Sequence, residues 1–335
     1  MQKVVIMGAG FMGETHAAGY KLIDNAKVVA VVDSVKEKGT KIAKMFDAKH
    51  YSDFDKMLHS EDFDILDICT PTKTHPWIVK KAAQAKKNIL CEKPLALSVE
   101  AADEMIEDVN KNGVAAMVGQ VLRFWPEYVK IKEIVESKQY GKPLHTYCAR
   151  LCVPPEWYEG KWGYLEENSG GAVLDLSIHD LDYLLWLYGK PTSLKAQGVY
   201  IKELGGLSHV VTGIEFENGT SGVAEGGWAF TGEFPFTMVV RILLEEATID
   251  WEFRAGKNIE QRDEVCTVSV YEKSGKTYDL DVEQKDPYYL ECQYFVDRLD
   301  QGLAIERATF EDGRQAVEVA IAARESAKSK KIIKF

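Results

Sequence analysis

The chain has 335 residues and a formal net charge of -11. This length exceeds one ordinary domain, so we expect two domains, each with its own core. The acidic balance, without a basic stripe, excludes nucleic acid as an expected partner. No uncharged run approaches the roughly 18 residues of a membrane span, and an apolar strand near residue 3 leaves no room for a signal peptide, so we expect a cytoplasmic enzyme.

The first 119 residues alternate short apolar runs with helical patterns. Strands are predicted at 3–7, 27–32, 65–69, 88–91 and 115–118, and helices at 15–23, 34–46, 75–85 and 98–112. Continuous apolar strands separated by helices are typical of a parallel sheet covered on both faces. We therefore predict an α/β fold whose first domain, residues 1–122, is a doubly wound Rossmann domain.

The pattern changes after residue 123. A helix is predicted at 126–137, then strands at 144–153, 193–201, 209–216, 220–230, 236–244 and 248–253, with helices at 172–188, 288–300 and 309–329. Alternating runs divided by turn signals such as Asn218-Gly219 predict a large, mostly antiparallel open sheet. We predict one α+β domain over residues 123–335, with a last helix that can pack back on the first domain.

A glycine-rich loop follows the first strand. Gly8, Gly10 and Gly13 have the spacing of a dinucleotide-binding turn. The first glycine permits the tight turn, the second lets the backbone approach a pyrophosphate, and the third lets helix and strand pack closely. The phosphates would lie at the helix N-terminus, beside Phe11 and Met12.

Asp33 lies twenty residues beyond Gly13, at the end of the second strand. A carboxylate there accepts hydrogen bonds from the adenosine ribose and repels a 2'-phosphate, so NAD is predicted rather than NADP. Lys36 could partly offset that repulsion. The alternative is an ordinary glycine turn with a surface aspartate.

Two further turns end strands of the same predicted sheet. Thr70, Pro71 and Thr72 would lie beside the glycine loop and line the cofactor, and His75 either joins them or caps the next helix. Ligands bind at the carboxyl ends of parallel strands, so Lys93, after the strand at 88–91, is expected to face a bound molecule. Glu92 would contribute to the cofactor site and fix the loop or the lysine.

A glycine pair in the second half precedes Asp175 and His179, which are four residues apart. On a helix they would share one face, where a carboxylate can orient an imidazole. A purely structural pair is the alternative, and Lys93 together with a dinucleotide site in the same chain favours the catalytic interpretation.

These features, in this order, resemble the Gfo/Idh/MocA family, named for glucose-fructose oxidoreductase, inositol dehydrogenase and a rhizopine-catabolism protein. The resemblance implies that the second domain carries the substrate site and often builds dimers or tetramers, and that Lys93, Asp175 and His179 act together. The sequence departs from the family pattern at Trp162-Gly163, where relatives often have a tryptophan-arginine pair, and at Ala172, which replaces a third glycine.

The resemblance implies an inositol dehydrogenase-like or sugar dehydrogenase activity that uses NAD on a cyclic polyol, sugar or glycoside. His179 would take the hydroxyl proton, Asp175 would orient it, and Lys93 would stabilise the developing alkoxide. Trp162 is added as a substrate contact, since aromatic faces suit sugar rings. The alternatives are an enzyme that cleaves glycosides while recycling NAD, an NADPH-dependent keto-sugar reductase, and a non-catalytic regulator that senses a dinucleotide.

Assembly and metal content are predicted from residue patterns. The six cysteines form no CxxC pair and have no neighbouring histidine set, so we expect reduced thiols and no metal. One face of the second sheet is expected to expose apolar residues such as Val211, Ile214, Val239 and Ile242, or their alternating neighbours. Such a face usually has a partner, so a homodimer or homotetramer is predicted.

Overall fold

A computed structural model describes residues 1–156, 163–256 and 266–335. The chain divides into two compact units, one formed by Met1–Trp125 with Lys285–Gln315 and the other by Pro126–Gln284 with Ala316–Phe335. The boundary at residues 122 and 123 and the roles assigned to the two domains remain predictions. No helix within the described ranges is both long and apolar enough to cross a membrane.

The first unit is built on a six-stranded parallel sheet in the order β3-β2-β1-β4-β5-β6. Its elements are β1 (Gln2–Met7), α1 (Phe11–Tyr20), β2 (Ala26–Val32), α2 (Lys36–Lys44), β3 (Lys49–Tyr51), α3 (Phe54–Ser60), β4 (Ile65–Ile68), α4 (His75–Gln84), β5 (Asn88–Glu92), α5 (Val99–Asn112), β6 (Ala116–Gly119) and α9 (Pro287–Asp300). The strand order is that of a doubly wound dinucleotide-binding sheet, which confirms the predicted fold class.

The two central strands are buried over Val4–Met7 of β1 and along the whole of β4. Val5 of β1 and Leu66 of β4 have no exposed surface. Ser98 accepts a hydrogen bond from the Ala101 amide at 3.2 Å and is therefore the N-cap predicted for α5. The predicted start of α1 at residue 15 was wrong, because the helix begins at Phe11, directly after the extended Gly10. The sequence prediction also missed β3 and α3, which are too short to show a clear period.

The second unit is built on a nine-stranded sheet in the order β14-β13-β12-β11-β7-β10-β9-β8-β15. Its elements are α6 (Pro126–Ser137), β7 (Pro143–Leu151), α7 (Glu166–Ser169), α8 (Ile178–Tyr188), β8 (Pro191–Ile201), β9 (Gly206–Phe216), β10 (Ser221–Gly227), β11 (Thr237–Leu244), β12 (Ala247–Arg254), β13 (Ser269–Glu272), β14 (Thr277–Asp279) and β15 (Ile333–Lys334). Helix α10 (Phe310–Ser329) begins in the first unit and continues in the second. Strands β7 and β10 pair in parallel and the other described neighbours are antiparallel, as predicted.

The two faces of the second sheet differ in polarity. Helix α8 packs against β7 and β10 on one face. Ile214 and Ile242 are buried on that face, so the expectation that they would be exposed is wrong; strand alternation turns them away from Val211, which is 39% exposed. The open face also carries charge, because Glu225 lies 3.1 Å from Nε2 of His209 and accepts a hydrogen bond from Tyr147 at 2.6 Å.

The helix predicted at residues 172–188 consists of a π-helical turn followed by an α-helix. Val173–Ser177 forms a π-helix, and α8 continues from Ile178. Gly170 and Gly171 precede it with φ of +82° and +70°, which are positions that glycine adopts most readily. The prediction of a single α-helix over residues 172–188 was therefore wrong for the first turns of that segment.

Candidate cofactor and active site

The loop between β1 and α1 requires glycine at two positions. Gly8 has φ of +102°, and a Cβ atom there would lie 2.5 Å from the carbonyl oxygen of Cys69. A Cβ at Gly13 would collide with the carbonyl oxygen of Gly8. By contrast, a Cβ at Gly10 would meet no atom within 4 Å, so space lies open above this part of the backbone. The loop thus leaves room at the N-terminus of α1, where an anionic phosphate is favoured.

The side chain of Asp33 is hydrogen-bonded to the glycine loop. Its Oδ2 accepts a hydrogen bond from the Ala9 amide at 2.7 Å, and its Oδ1 accepts one from the Val35 amide at 2.7 Å. A carboxylate oxygen has a second lone pair, so both oxygens can still accept from ribose hydroxyls. The side chain is therefore held in place before any ligand binds. Phe11 at the start of α1 is exposed, Met12 is half-buried, and Lys36 is exposed at the start of α2.

The turn after β4 is linked to the turn after β5 by His75. The ring of His75 is fully buried, with Nε2 at 2.9 Å from the Thr70 carbonyl and Nδ1 at 3.1 Å from the Pro94 carbonyl. Thr70 also accepts a hydrogen bond from the Thr74 hydroxyl at 2.8 Å, while Pro71 precedes the short 3-10 turn that begins at the buried Thr72. Burial lowers the pKa of His75. A neutral imidazole carries a single N–H, so His75 donates a hydrogen bond to one of these two turns and packs against the other.

Glu92 ends β5 with its side chain turned into the core. It is 4% exposed, and its Oε2 accepts a hydrogen bond from the Lys93 amide at 3.1 Å. Gly119 on β6 is its partner in the sheet, and a Cβ there would lie 2.8 Å from Glu92 Oε1. Lys93 follows at the carboxyl end of the sheet and is half-buried.

Sequence reasoning missed a buried polar cluster behind this turn. His16 on α1 places Nδ1 at 2.9 Å from Asp67 Oδ2 and Nε2 at 2.9 Å from Glu92 Oε1. Glu291 on α9 has an oxygen 4.0 Å from the same Nε2. His16, Asp67 and Glu291 are fully buried. The signal available in the sequence was Asp67, a charged residue inside the otherwise apolar strand β4.

The charge state of the cluster follows from its contacts. Burial opposes a positive charge on His16, yet the neighbouring Asp67 carboxylate raises the pKa of His16 well above its ordinary value. Burial, and then the negative charge of Glu92, raise the pKa of Glu291 well above its ordinary value. Both shifts favour the protonated form, that is, an imidazolium between the carboxylates of Asp67 and Glu92 and a neutral Glu291 beside them.

The second unit holds the other predicted catalytic residues. Asp175 lies in the π-helical turn and is half-buried, and His179 is 8% exposed in the first turn of α8. Strand β10 packs closely below this turn, because a Cβ at Gly226 would lie 2.7 Å from the Cβ of Ser177. Trp162 lies outside the described residues. The joint action of Asp175, His179 and Lys93 remains a prediction.

Beside this turn lies a buried ion pair. Nε of Arg150 on β7 is 3.3 Å from Oδ2 of Asp180, the residue after His179, and both side chains are almost fully buried. Burial raises the pKa of Asp180 to about 6 although Arg150 opposes the shift. Sequence reasoning missed this pair too.

Two family models match the chain. The model of an oxidoreductase family with an NAD-binding Rossmann fold matches residues 2–120, and the model of the GFO/IDH/MocA C-terminal domain matches residues 128–250. The chain belongs to the GFO/IDH/MocA family of oxidoreductases. The predictions of this family, of an oxidoreductase and of NAD as the cofactor are confirmed.

Two similar proteins align with the chain over different lengths. The uncharacterized oxidoreductase YrbE of Bacillus subtilis is 35% identical over 228 residues, which are 66% of this chain and 65% of that protein. The chain thus spans slightly less than two thirds of YrbE. The myo-inositol 2-dehydrogenase of Thermotoga maritima is 27% identical over 342 aligned positions, covering 99% of this chain and 98% of that protein.

A solved structure has the same fold along the whole chain. Levoglucosan dehydrogenase in complex with NADH and L-sorbose superposes with a TM-score of 0.86, covers 100% of this chain and 99% of that chain, and is 22% identical. At this identity the likeness concerns the fold alone.

Proposed function

We propose that this chain moves hydride between a secondary alcohol of a cyclic polyol, sugar or glycoside and the nicotinamide of NAD. The observation that carries the proposal is the arrangement of loops in the first unit. The glycine loop follows β1, Asp33 follows β2, Thr70 follows β4 and Lys93 follows β5. Because these strands are parallel, all four loops lie at the carboxyl edge of one sheet, where such sheets bind ligands.

The residues at this edge fit NAD. Gly10 leaves open space beside the N-terminus of α1 for the pyrophosphate, and Asp33 presents a carboxylate for the adenosine ribose. The Thr70–Thr72 turn would line the cofactor, and His75 would act on it indirectly by holding that turn. When bound, the nicotinamide supplies the hydride acceptor or donor.

The catalytic roles are assigned to three side chains. His179 takes the hydroxyl proton as general base, Asp175 orients His179, and Lys93 donates a hydrogen bond to the same oxygen and stabilises its negative charge. Support for the first two comes from the π-helical turn that carries Asp175, because single π turns are frequent at functional sites.

The substrate class rests on relatives. One aligned over nearly its full length is a myo-inositol 2-dehydrogenase, and a protein of the same fold is a levoglucosan dehydrogenase. Both names point to ring hydroxyls. Trp162 would offer an aromatic face to such a ring.

A panel of inositols, free sugars and glycosides, assayed for NADH formation, tests the proposal. We expect NADH with at least one cyclic polyol or sugar, and no NADH with any member of the panel would contradict it. Consumption of a glycoside without net NADH would identify the NAD-recycling alternative. Formation of NADPH rather than NADH would favour the NADPH-dependent reductase.

We also propose a cytoplasmic homodimer or homotetramer. Support for assembly comes from the open face of the nine-stranded sheet, where Val211 and Leu243 are exposed between charged residues. The six free cysteines are compatible with a reducing compartment. Light scattering at micromolar concentration tests the assembly, and a mass near that of one chain would contradict it.

A further inference from the structure

A continuous chain of polar contacts runs from the core of the first unit to the Lys93 backbone. Asp67 is 2.9 Å from Nδ1 of His16, Nε2 of His16 is 2.9 Å from Oε1 of Glu92, and Oε2 of Glu92 accepts the Lys93 amide hydrogen at 3.1 Å. His16 lies on α1, Asp67 on β4 and Glu92 on β5. Asp67 and Glu92 thus contact different nitrogens of the His16 ring, and the second oxygen of Glu92 is left for the Lys93 amide.

Burial makes the histidine essential to the position of Glu92. Asp67 has no exposed surface and Glu92 is 4% exposed, so neither carboxylate can exchange its partner for bulk water. The imidazolium of His16 separates the two like charges and donates to both. Without it, Glu92 would be driven to rotate away from Asp67, and its bond to the Lys93 amide would be lost or weakened.

The position of Glu92 matters because it sets the backbone from which Lys93 extends. The Glu92 side chain points into the core, where Gly119 leaves it room, and it therefore has no direct path to a substrate. On the far side of the turn, Nδ1 of His75 lies 3.1 Å from the Pro94 carbonyl oxygen. Buried histidine rings thus lie on both sides of the Lys93 turn.

We propose that His16 is a positioning residue for the reaction: through Glu92 it fixes the peptide that aims the Lys93 ammonium at the reacting hydroxyl. This inference rests on the role of Lys93 in the proposed function. A misplacement of about 1 Å in a catalytic group can cost roughly 100-fold in rate. Because the cofactor loop is not part of this chain of contacts, the loss should appear in kcat and not in cofactor affinity.

The first test compares His16→Gln with Tyr20→Phe. Tyr20 is buried in the same region, and its hydroxyl has no hydrogen-bond partner among the described residues, so Tyr20→Phe changes the same core without touching Glu92. We expect His16→Gln to lower kcat about 10- to 100-fold with NAD affinity within about threefold of wild type. Tyr20→Phe should keep at least half of the wild-type kcat.

A double variant tests the route through Glu92. If His16 acts by holding Glu92, adding His16→Gln to Glu92→Ala should lower kcat by less than about twofold beyond Glu92→Ala alone. Independent losses that multiply would overturn the proposal. So would a His16→Gln enzyme with at least half of the wild-type kcat, or one whose NAD affinity falls as much as its kcat.

A second measurement is independent of turnover. Hydrogen exchange at the Lys93 amide should be at least about tenfold faster in His16→Gln than in wild type, and unchanged in Tyr20→Phe. Unchanged exchange in His16→Gln would overturn the positioning role. If the wild-type protein oxidised no polyol or sugar, the proposed function would fail, while the exchange rates would still decide whether His16 holds this turn.

Discussion

The two units hold their buried charges in different ways. In the first, His16 bridges Asp67 and Glu92, and Glu92 in turn holds the amide of Lys93. In the second, Arg150 and Asp180 form one ion pair between a strand and a helix. A buried charge can therefore hold a loop in place, as Glu92 does, or join two packed elements, as Arg150 and Asp180 do. Changes in the first cluster should therefore alter turnover, and changes in the second should alter stability.

The largest expected effect comes from the residues proposed as catalytic, one in each unit. Lys93→Ala and His179→Ala should each lower kcat roughly 100- to 10,000-fold, because general-base and electrostatic contributions are of this size. NAD affinity, measured by calorimetric titration, should stay nearly unchanged. A His179→Ala enzyme that kept more than about a tenth of the wild-type rate would return this residue to a structural role.

The next largest effect should fall on stability. Arg150→Met leaves the Asp180 carboxylate buried without its ion-pair partner, which costs about 3–5 kcal/mol of unfolding free energy. Replacing both, as Arg150→Met with Asp180→Leu, should recover most of the loss. Urea unfolding at pH 7 gives the free energy of unfolding of both variants. At urea concentrations below the unfolding transition, kcat should remain within about threefold of wild type.

The pH dependence of the Arg150→Met loss sharpens this prediction. The pKa of Asp180 is about 6 in the folded protein, above its ordinary value of 3.8, so the folded state takes up a proton as the pH falls below 6. A protonated Asp180 carries no charge to leave unpaired. The cost of Arg150→Met should therefore be smaller at pH 5 than at pH 7, and an equal cost at both would contradict the ion-pair explanation.

Asp33 tests cofactor choice in the first unit. Its carboxylate is held by the Ala9 amide where a 2'-phosphate would bring a like charge, and such contacts cost several kcal/mol. Asp33→Ala should reduce the preference for NAD over NADP by roughly 100-fold, or about 2.8 kcal/mol. Titration with both cofactors decides this, and an unchanged ratio would defeat the assignment.

The smallest expected effect is a change in how steeply the free energy of unfolding varies with pH. Glu291 faces His16, Glu92, Asp67 and Cys292, and its folded pKa is raised well above 4.5. The folded state thus holds one proton more than the unfolded state between pH 4.5 and that folded pKa. Its contribution to stability is complete below 4.5 and is lost as the pH rises, by about 1.4 kcal/mol per pH unit.

Glu291→Gln replaces the protonated acid by a neutral side chain of similar shape. We expect the unfolding free energy of this variant to fall less steeply with rising pH than that of the wild type. Urea unfolding across the pH range from 5 to 8 gives the slope. An identical slope in wild type and Glu291→Gln would mean that Glu291 is ionised in the folded protein.

Local sequence patterns determined the parallel sheet, the glycine loop and the place of Asp33, because periodic apolar runs and the demand for positive φ act over a few residues. The N-cap at Ser98 and the turn carrying Lys93 were predictable for the same reason. The short β3 and α3 escaped prediction, since three to seven residues carry too little periodicity.

Tertiary structure alone decided which charged residues meet. His16, Asp67, Glu92 and Glu291 are distant in sequence and share no period, so only the packing of α1 and α9 on the sheet brings them together. The close packing of the π-helical turn at Asp175 on β10 at Gly226 is likewise a contact between segments that are distant in sequence. Local propensity acts over a few residues, whereas burial forces distant polar groups to become partners, and no short window of sequence contains that constraint.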